Sequence, residues 1–106
     1  MQAAQDRVFH ALADPSRRAI FEALTRGEAA VKDLTARFEI SQPAVSQHLA
    51  LLREAGLVQG RREGRNVFYR VEPKGMRPLI DWIAHYRAFW TEHLGRLERL
   101  LQRMDG

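Results

Sequence analysis

The residues of this sequence best suited to chemistry form a row without charge. From Ile40 to Leu52 there is no Asp, Glu, Lys or Arg, although the outer face of a surface helix normally carries them. At 100° per residue, Gln42, Pro43, Ser46, Gln47 and Ala50 share one face of a helix, and Val45, Leu49 and Leu52 the other, with Ala55 at its edge. Gln and Ser bring both donors and acceptors, and Gln can pair with adenine in a major groove. Small neighbours there permit close approach. Gln42, Pro43, Ser46 and Gln47 are therefore the candidate base-reading residues. An amphipathic core helix that merely lacks charges has the same pattern, so the flanking segments must decide.

Charge lies just beyond this row. Between Arg53 and Arg77 there are seven basic residues and three acidic ones, a surplus equal to the +4 net charge of the whole chain. Arg61, Arg62, Arg65 and Asn66 cluster around Gly64 and offer donors for phosphates or a minor groove. Ser41 and His48 are the remaining candidates for backbone contact. A basic segment beside an uncharged reading face is the footprint of nucleic-acid binding; the charge surplus alone also fits a solvated face.

Other chemistries find little support. The chain has no Cys, hence no disulfide framework and no thiolate metal site. His10, His48, His85 and His93 show no common spacing with carboxylates that would make a metal face, Asp81 with His85 being one isolated pair. One such pair makes no metal face, so no metal and no cofactor are expected. No Gly-rich phosphate loop and no nucleophile with a base and a third member is found, and an enzyme is not expected. The absence of an apolar leader and of any run of about 18 apolar residues predicts a soluble cytoplasmic protein without a membrane partner.

The elements that would position these residues follow from local signals. A chain of 106 residues with 45% hydrophobic and 28% charged content is expected to form one domain, 1–106. A first helix is predicted over Ala3 to Ala13, with Ala4, Val8, Phe9 and Leu12 inward. Asp14-Pro15 caps and opens a second, to about Arg26, burying Ile20, Ala23 and Leu24. A third spans Val31 to Phe38. Only Glu39 and Ile40 precede the N-cap Ser41 of the uncharged helix, which should run to Ala55 and end at Gly56. Two helices so closely joined make a helix-turn-helix. Alternating strands follow at Leu57 to Arg61 and Asn66 to Val71, around the turn Arg62-Glu63-Gly64-Arg65, as a two-stranded wing. From Arg77 to Met104, apolar residues recur every three or four positions, predicting one continuous helix. The expected fold class is mainly α with a small β-hairpin: a winged helix-turn-helix of about five helices and a two-stranded wing.

That last helix holds more apolar surface than so small a core can cover. Phe9, Ile83, Tyr86, Phe89, Trp90, Leu97 and Leu101 are predicted to pack against a second copy, forming a homodimer through the first helix and the helix 77–104. Gly95 inside that helix suggests close helix approach.

Three segments, A-L-A-D-P-S-R-R-A-I from Ala11, S-Q-P-A-V-S-Q-H-L-A-L-L-R-E-A-G-L-V from Ser41 and R-R-E-G-R-N-V-F-Y-R-V from Arg61, resemble ArsR-family winged-helix repressors in order and spacing. The resemblance implies a homodimeric regulator that binds double-stranded DNA through the Ser41 helix and the wing, with repression relieved by a signal. A pseudo-palindromic operator and autoregulation are the corresponding expectations. The family's metal sensors carry Cys-Val-Cys where this chain has Ala30, Val31 and Lys32, or an Asp-x-His pair with a later His-x-x-Glu that neither Asp81 with His85 nor His93 with Arg96 reproduces. The run W-I-A-H-Y-R-A-F-W from Trp82 instead resembles a metal-independent branch. A small-molecule or protein effector, or regulation by dose, is then expected in place of a metal. The competing reading is a winged helix that serves as a protein-protein interaction module without specific DNA binding; the uncharged helix face and the cations of the wing favour DNA.

Overall fold

The first corner shows how sequence becomes geometry. In the computed structural model, which describes residues 2–105, helix α1 (Gln2–Ala13) meets α2 (Pro15–Leu24) across the single residue Asp14. The Asp14 carboxylate accepts from the Arg17 main-chain N–H at 2.9 Å and caps α2. Arg17 itself turns back. Its Nε donates to the Ala11 carbonyl at 2.8 Å and its Nη2 to that of His10 at 3.2 Å, while Nη1 of Arg18 reaches the Leu12 carbonyl at 2.7 Å. These are carbonyls of the last turn of α1, which has no following turn to satisfy them. The second helix thus closes the first.

Beyond the two-residue strand β1 (Ala29–Ala30) come α3 (Val31–Phe38) and α4 (Gln42–Glu54). Glu39 takes a left-handed conformation, φ 54° and ψ 37°, and donates to the Thr35 carbonyl to end α3. Ser41 then starts α4, its Oγ accepting from Ala44 N–H at 3.2 Å. At the other end Gly56, at φ 79°, donates to Arg53 O, and Leu57 N–H reaches back to Leu52 O at 3.0 Å, the paired closure that a glycine after a helix permits. Val8, Ile20, Leu34, Leu49, Leu52 and Leu57 come together, all at most 1% exposed, as the centre of the core. Each contributes roughly 1.5–3 kcal/mol by leaving water.

The hairpin of β2 (Val58–Glu63) and β3 (Asn66–Val71) differs from the expected wing in two ways. It belongs to a three-stranded antiparallel sheet of order β1-β3-β2, in which Ala29 pairs with Tyr69 and Ala30 with Phe68. The wing is therefore not two-stranded at its base. The first strand also runs two residues further toward the tip than predicted, whereas β3 has its predicted bounds, so Arg62 lies in β2 opposite Val67, and only Gly64 and Arg65 turn the chain. Gly60 lies under the Tyr69 ring, where an added Cβ would come within 2.9 Å of it.

The helix expected over 77–104 is broken. A 3₁₀ turn (Pro73–Met76) leads into α5 (Arg77–His85), and α6 (Arg87–Asp105) follows after Tyr86, giving six α-helices among the described residues rather than about five. At Tyr86 (φ −104°, ψ 16°) the main chain tightens, with its N–H on Ile83 O. The rings of Tyr86 and Trp90 both pack on Trp82 across the break, at centroid distances of 5.2 and 6.0 Å. No Gly or Pro marks this bend; aromatic packing holds it. Trp82 also meets Phe9 of α1 edge-on at 5.4 Å, whereas α6 buries none of its residues. The radius of gyration, 17.4 Å, exceeds the roughly 13 Å expected for a compact chain of this length. Smaller departures occur earlier: α2 stops at Leu24, Ala4 is exposed rather than inward, and Phe9 is 38% exposed.

Candidate nucleic-acid interface

Helix α4 turns its apolar side inward, with Val45, Leu49 and Leu52 fully buried, and leaves Gln42, Pro43, Ser46 and Gln47 exposed. Four uncharged side chains thus stand in a row on a helix whose position is set by the core beneath it. Ser41 is exposed as well; its oxygen caps the helix, and its hydroxyl hydrogen remains available to a phosphate. His48 is half-buried, and its Nδ1 is buried without a hydrogen-bond partner. Only the other edge of that ring can serve a backbone contact. The Arg17 main-chain hydrogen bond holds the Asp14 carboxyl below the usual carboxylate range, with a further contribution from the Arg17 charge.

The wing divides its residues by strand alternation. Gln59, Arg61, Phe68 and Arg70 share the outer face, whereas Arg62, Val67 and Tyr69 share the inner one, which carries Val58 and Val71 into the core. On the outer face Arg61 is engaged: Nη2 and Nε bind Glu28 at 2.5 and 3.2 Å, Nη1 binds Glu63 at 2.6 Å, and the guanidinium lies 4.9 Å from the centroid of Phe68. Both carboxylates raise the Arg61 pKa, Glu28 most, and Arg61 in turn lowers that of Glu28. Arg70 donates to Gln59, which donates to Glu72, and Arg77 pairs with Asp81. Of the predicted cationic contacts, Arg62 and Arg65 are the two outside any ion pair among the described residues.

The fold brings the two sets of candidates together. Gln42 and Ser46 of α4 line one open cleft with Arg65 and Asn66 of the wing, of about 190 Å³. Among the described residues no group of three or more His, Asp or Glu side chains is arranged to hold a metal ion, and no helix is long and apolar enough to cross a membrane. Three useful residues escape a sequence reading. Arg17 looks like a surface cation but is only 9% exposed, Trp82 is the hub of the aromatic cluster, and Lys32 lines the same cleft as Gln42. Only Trp82 had a signal, its place beside the apolar stripe.

The expected self-association residues remain uncovered. Ile83, Tyr86, Phe89, Trp90, Leu97 and Leu101 are 36–50% exposed, and Phe89 stacks on His93 at 4.0 Å. The chain exposes 7865 Å², about 1,800 Å² more than a folded monomer of this mass. A Cβ added at Gly95 would meet only the Arg99 guanidinium, at 3.6 Å, so no other helix among the described residues approaches it.

Comparison with known proteins agrees with this geometry. The profile of the bacterial regulatory protein arsR family matches residues 14–59, the span from the α2 cap to the first residues of the wing. An HTH-type transcriptional regulator of Mycobacterium tuberculosis is 41% identical over 96 residues, covering 91% of this chain and 87% of that protein. The transcriptional repressor SdpR of Bacillus subtilis is 31% identical over 81 residues, 76% of this chain and 90% of its own. Among solved structures, an ArsR-like transcriptional regulator from a Rhodococcus species superposes with a TM-score of 0.74 at 27% identity, covering 93% of each chain.

Proposed function

The chain belongs to the ArsR family of bacterial regulatory proteins and is a DNA-binding transcriptional regulator of that repressor type, and from this premise we propose that it works as a homodimer on a pseudo-palindromic operator. The observation that carries the proposal is the exposed, uncharged row Gln42, Pro43, Ser46 and Gln47 beside a wing whose Arg62 and Arg65 are in no ion pair among the described residues. The helix reads base edges, and the wing, with Ser41 and Asn66, holds the backbone. Arg61 is set aside from that list, because its guanidinium braces the wing against Glu28 and Glu63.

The dimer half of the reading is supported by surface. The chain's excess of about 1,800 Å² over a folded monomer of its mass, doubled, falls in the 2,000–5,000 Å² range of obligate homodimer interfaces, and its exposed large apolar residues lie mainly on α5 and α6. Two copies would set their reading helices about 34 Å apart, one turn of the duplex. We assign the chain to the metal-independent branch, since Ala30 and Lys32 stand where thiolates would be needed; its signal is then an organic ligand, a protein effector or its own dose. Action in the cytoplasm follows from the DNA target.

Binding to duplexes selected from a random pool, compared with scrambled DNA at two salt concentrations, tests the function. Specific binding should recover an inverted repeat, with log Kd rising linearly in log salt. Equal affinity for selected and scrambled DNA would favour the protein-interaction reading.

A further inference from the structure

We propose that the cleft between α3, the start of α4 and the wing seats one DNA backbone phosphate per half-site, gripped from opposite sides by Lys32 and Arg65. This deepens the proposed function and rests on it. It makes α3 a third DNA-contacting element and sets wing and reading helix on the same nucleotide.

Three elements line the cleft. Lys32 comes from α3, Gln42 and Ser46 from α4, and Arg65, Asn66 and Tyr69 from the wing. The lining holds two cations and no carboxylate. Neither cation is in an ion pair among the described residues, and the carboxylate nearest Arg65 in sequence, Glu63, is engaged by Arg61. Asp33, next to Lys32 in sequence, is not among the lining residues. Two cations facing a common space repel each other until an anion enters it.

Size narrows the choice of anion. A volume of about 190 Å³ corresponds to roughly six water molecules, below the roughly 300 Å³ at which pockets for drug-sized organic molecules begin. It suits a phosphate with part of its hydration shell. The cleft is open to solvent, so a phosphodiester can enter and leave as part of a continuous strand. Gln42, Ser46 and Asn66 supply neutral donors for the phosphate oxygens. Because Gln42 and Ser46 belong to the reading row, a phosphate here fixes the depth and register at which Gln47 meets the bases.

The test uses the full chain and a selected operator in which single phosphates are replaced, one at a time, by neutral methylphosphonates. One position per half-site should weaken wild-type binding about tenfold. In Lys32→Gln, and separately in Arg65→Gln, the same position should lose its effect to within about twofold, and each variant should show a log-log salt slope shallower by about 0.9 per half-site. Both side chains are exposed, and unchanged thermal unfolding of each variant confirms the fold. If Lys32→Gln remains fully sensitive at that position, or the two variants lose sensitivity at different phosphates, the shared cleft is wrong while DNA binding stands. Stabilisation of the free protein by millimolar inorganic phosphate, abolished in Lys32→Gln and unaccompanied by operator coupling, reassigns the cleft to a free anion. No preference of wild type for selected over scrambled DNA overturns the DNA reading itself and this proposal with it.

Discussion

The Arg17 guanidinium lies under the end of the preceding helix, with Nε 2.8 Å from the Ala11 carbonyl oxygen, so a cation 9% exposed ends α1. Its partners are main-chain carbonyls rather than a carboxylate. Arg17→Met keeps the packing of the stem and removes the donors, leaving buried carbonyls unpaired. The expected loss is about 1.5–3 kcal/mol in urea unfolding, against less than about 0.5 kcal/mol for Arg18→Met, whose bond is exposed. Equal effects at the two positions would contradict the capping role.

The other half of this corner responds to acid. The Asp14 carboxyl is held below its ordinary value by the hydrogen bond from Arg17 N–H, so the folded state binds its proton less readily than the unfolded chain. The stabilisation is complete above the unfolded value, about 3.9, and disappears as pH falls through the lower folded value. Asp14→Asn retains a good cap but nothing to titrate. The Tm gap between wild type and variant should therefore narrow or change sign between pH 6 and pH 2.5, and a gap constant with pH refutes the assignment.

Glu39 occupies the left-handed region between the two helices of the motif, at φ 54°. A residue with a Cβ is strained there by roughly 1–2 kcal/mol, and glycine is not; glycine's extra freedom in the unfolded chain offsets part of the gain. Glu39→Gly should raise stability by about 0.5–1 kcal/mol without altering operator affinity, measured by denaturation and by titration of the same samples. Destabilisation would mean that the Glu39 side chain has a role its exposed position does not reveal.

The two faces of the DNA interface should separate in binding. Gln47→Ala is expected to weaken operator binding by about 1–3 kcal/mol and to relax one base position per half-site with the salt slope unchanged. Arg62→Ala should weaken operator and scrambled DNA alike and flatten the slope by about one per contact. The reverse pattern would place the wing, rather than α4, at the base edges.

Association is predicted to run through the uncovered aromatic face. Sedimentation at micromolar concentration should give twice the chain mass. Trp90→Asp combined with Leu97→Asp should give a monomer with the core helices intact by circular dichroism, and with operator affinity reduced at least about a hundredfold. A wild-type chain that sediments as a well-folded monomer removes the dimer.

The reading row was legible because its information is local. Ser41, the apolar spacing and Gly56 bracket α4 to within one residue of its observed end. What stayed hidden depends on distant partners. A strand of two alanines has no pattern of its own and exists only because Tyr69 and Phe68 pair with it. Arg61 resembled its neighbours as a DNA contact because the carboxylate that engages it lies 33 residues earlier in the chain. The break at Tyr86 leaves the apolar repeat intact, so no periodicity could report it. Gly75 gave no sign of its importance either: an added Cβ would lie 1.8 Å from the Gly56 carbonyl oxygen, which locks the end of α4 against the turn before α5.

The helix that buries nothing has a consequence for dose. A 19-residue segment such as α6 gains little from helix formation alone in water, so under the homodimer reading its order arrives with the second copy. Folding of the final third is then bimolecular, and the number of chains in the cell sets the fraction that is complete as well as the total. When copies are few, operator occupancy rises with the square of that number, because each occupied operator requires two chains. A gene that represses its own transcription through such a protein has a threshold without any ligand: silence is steep to establish, and modest dilution at cell division is enough to begin releasing it.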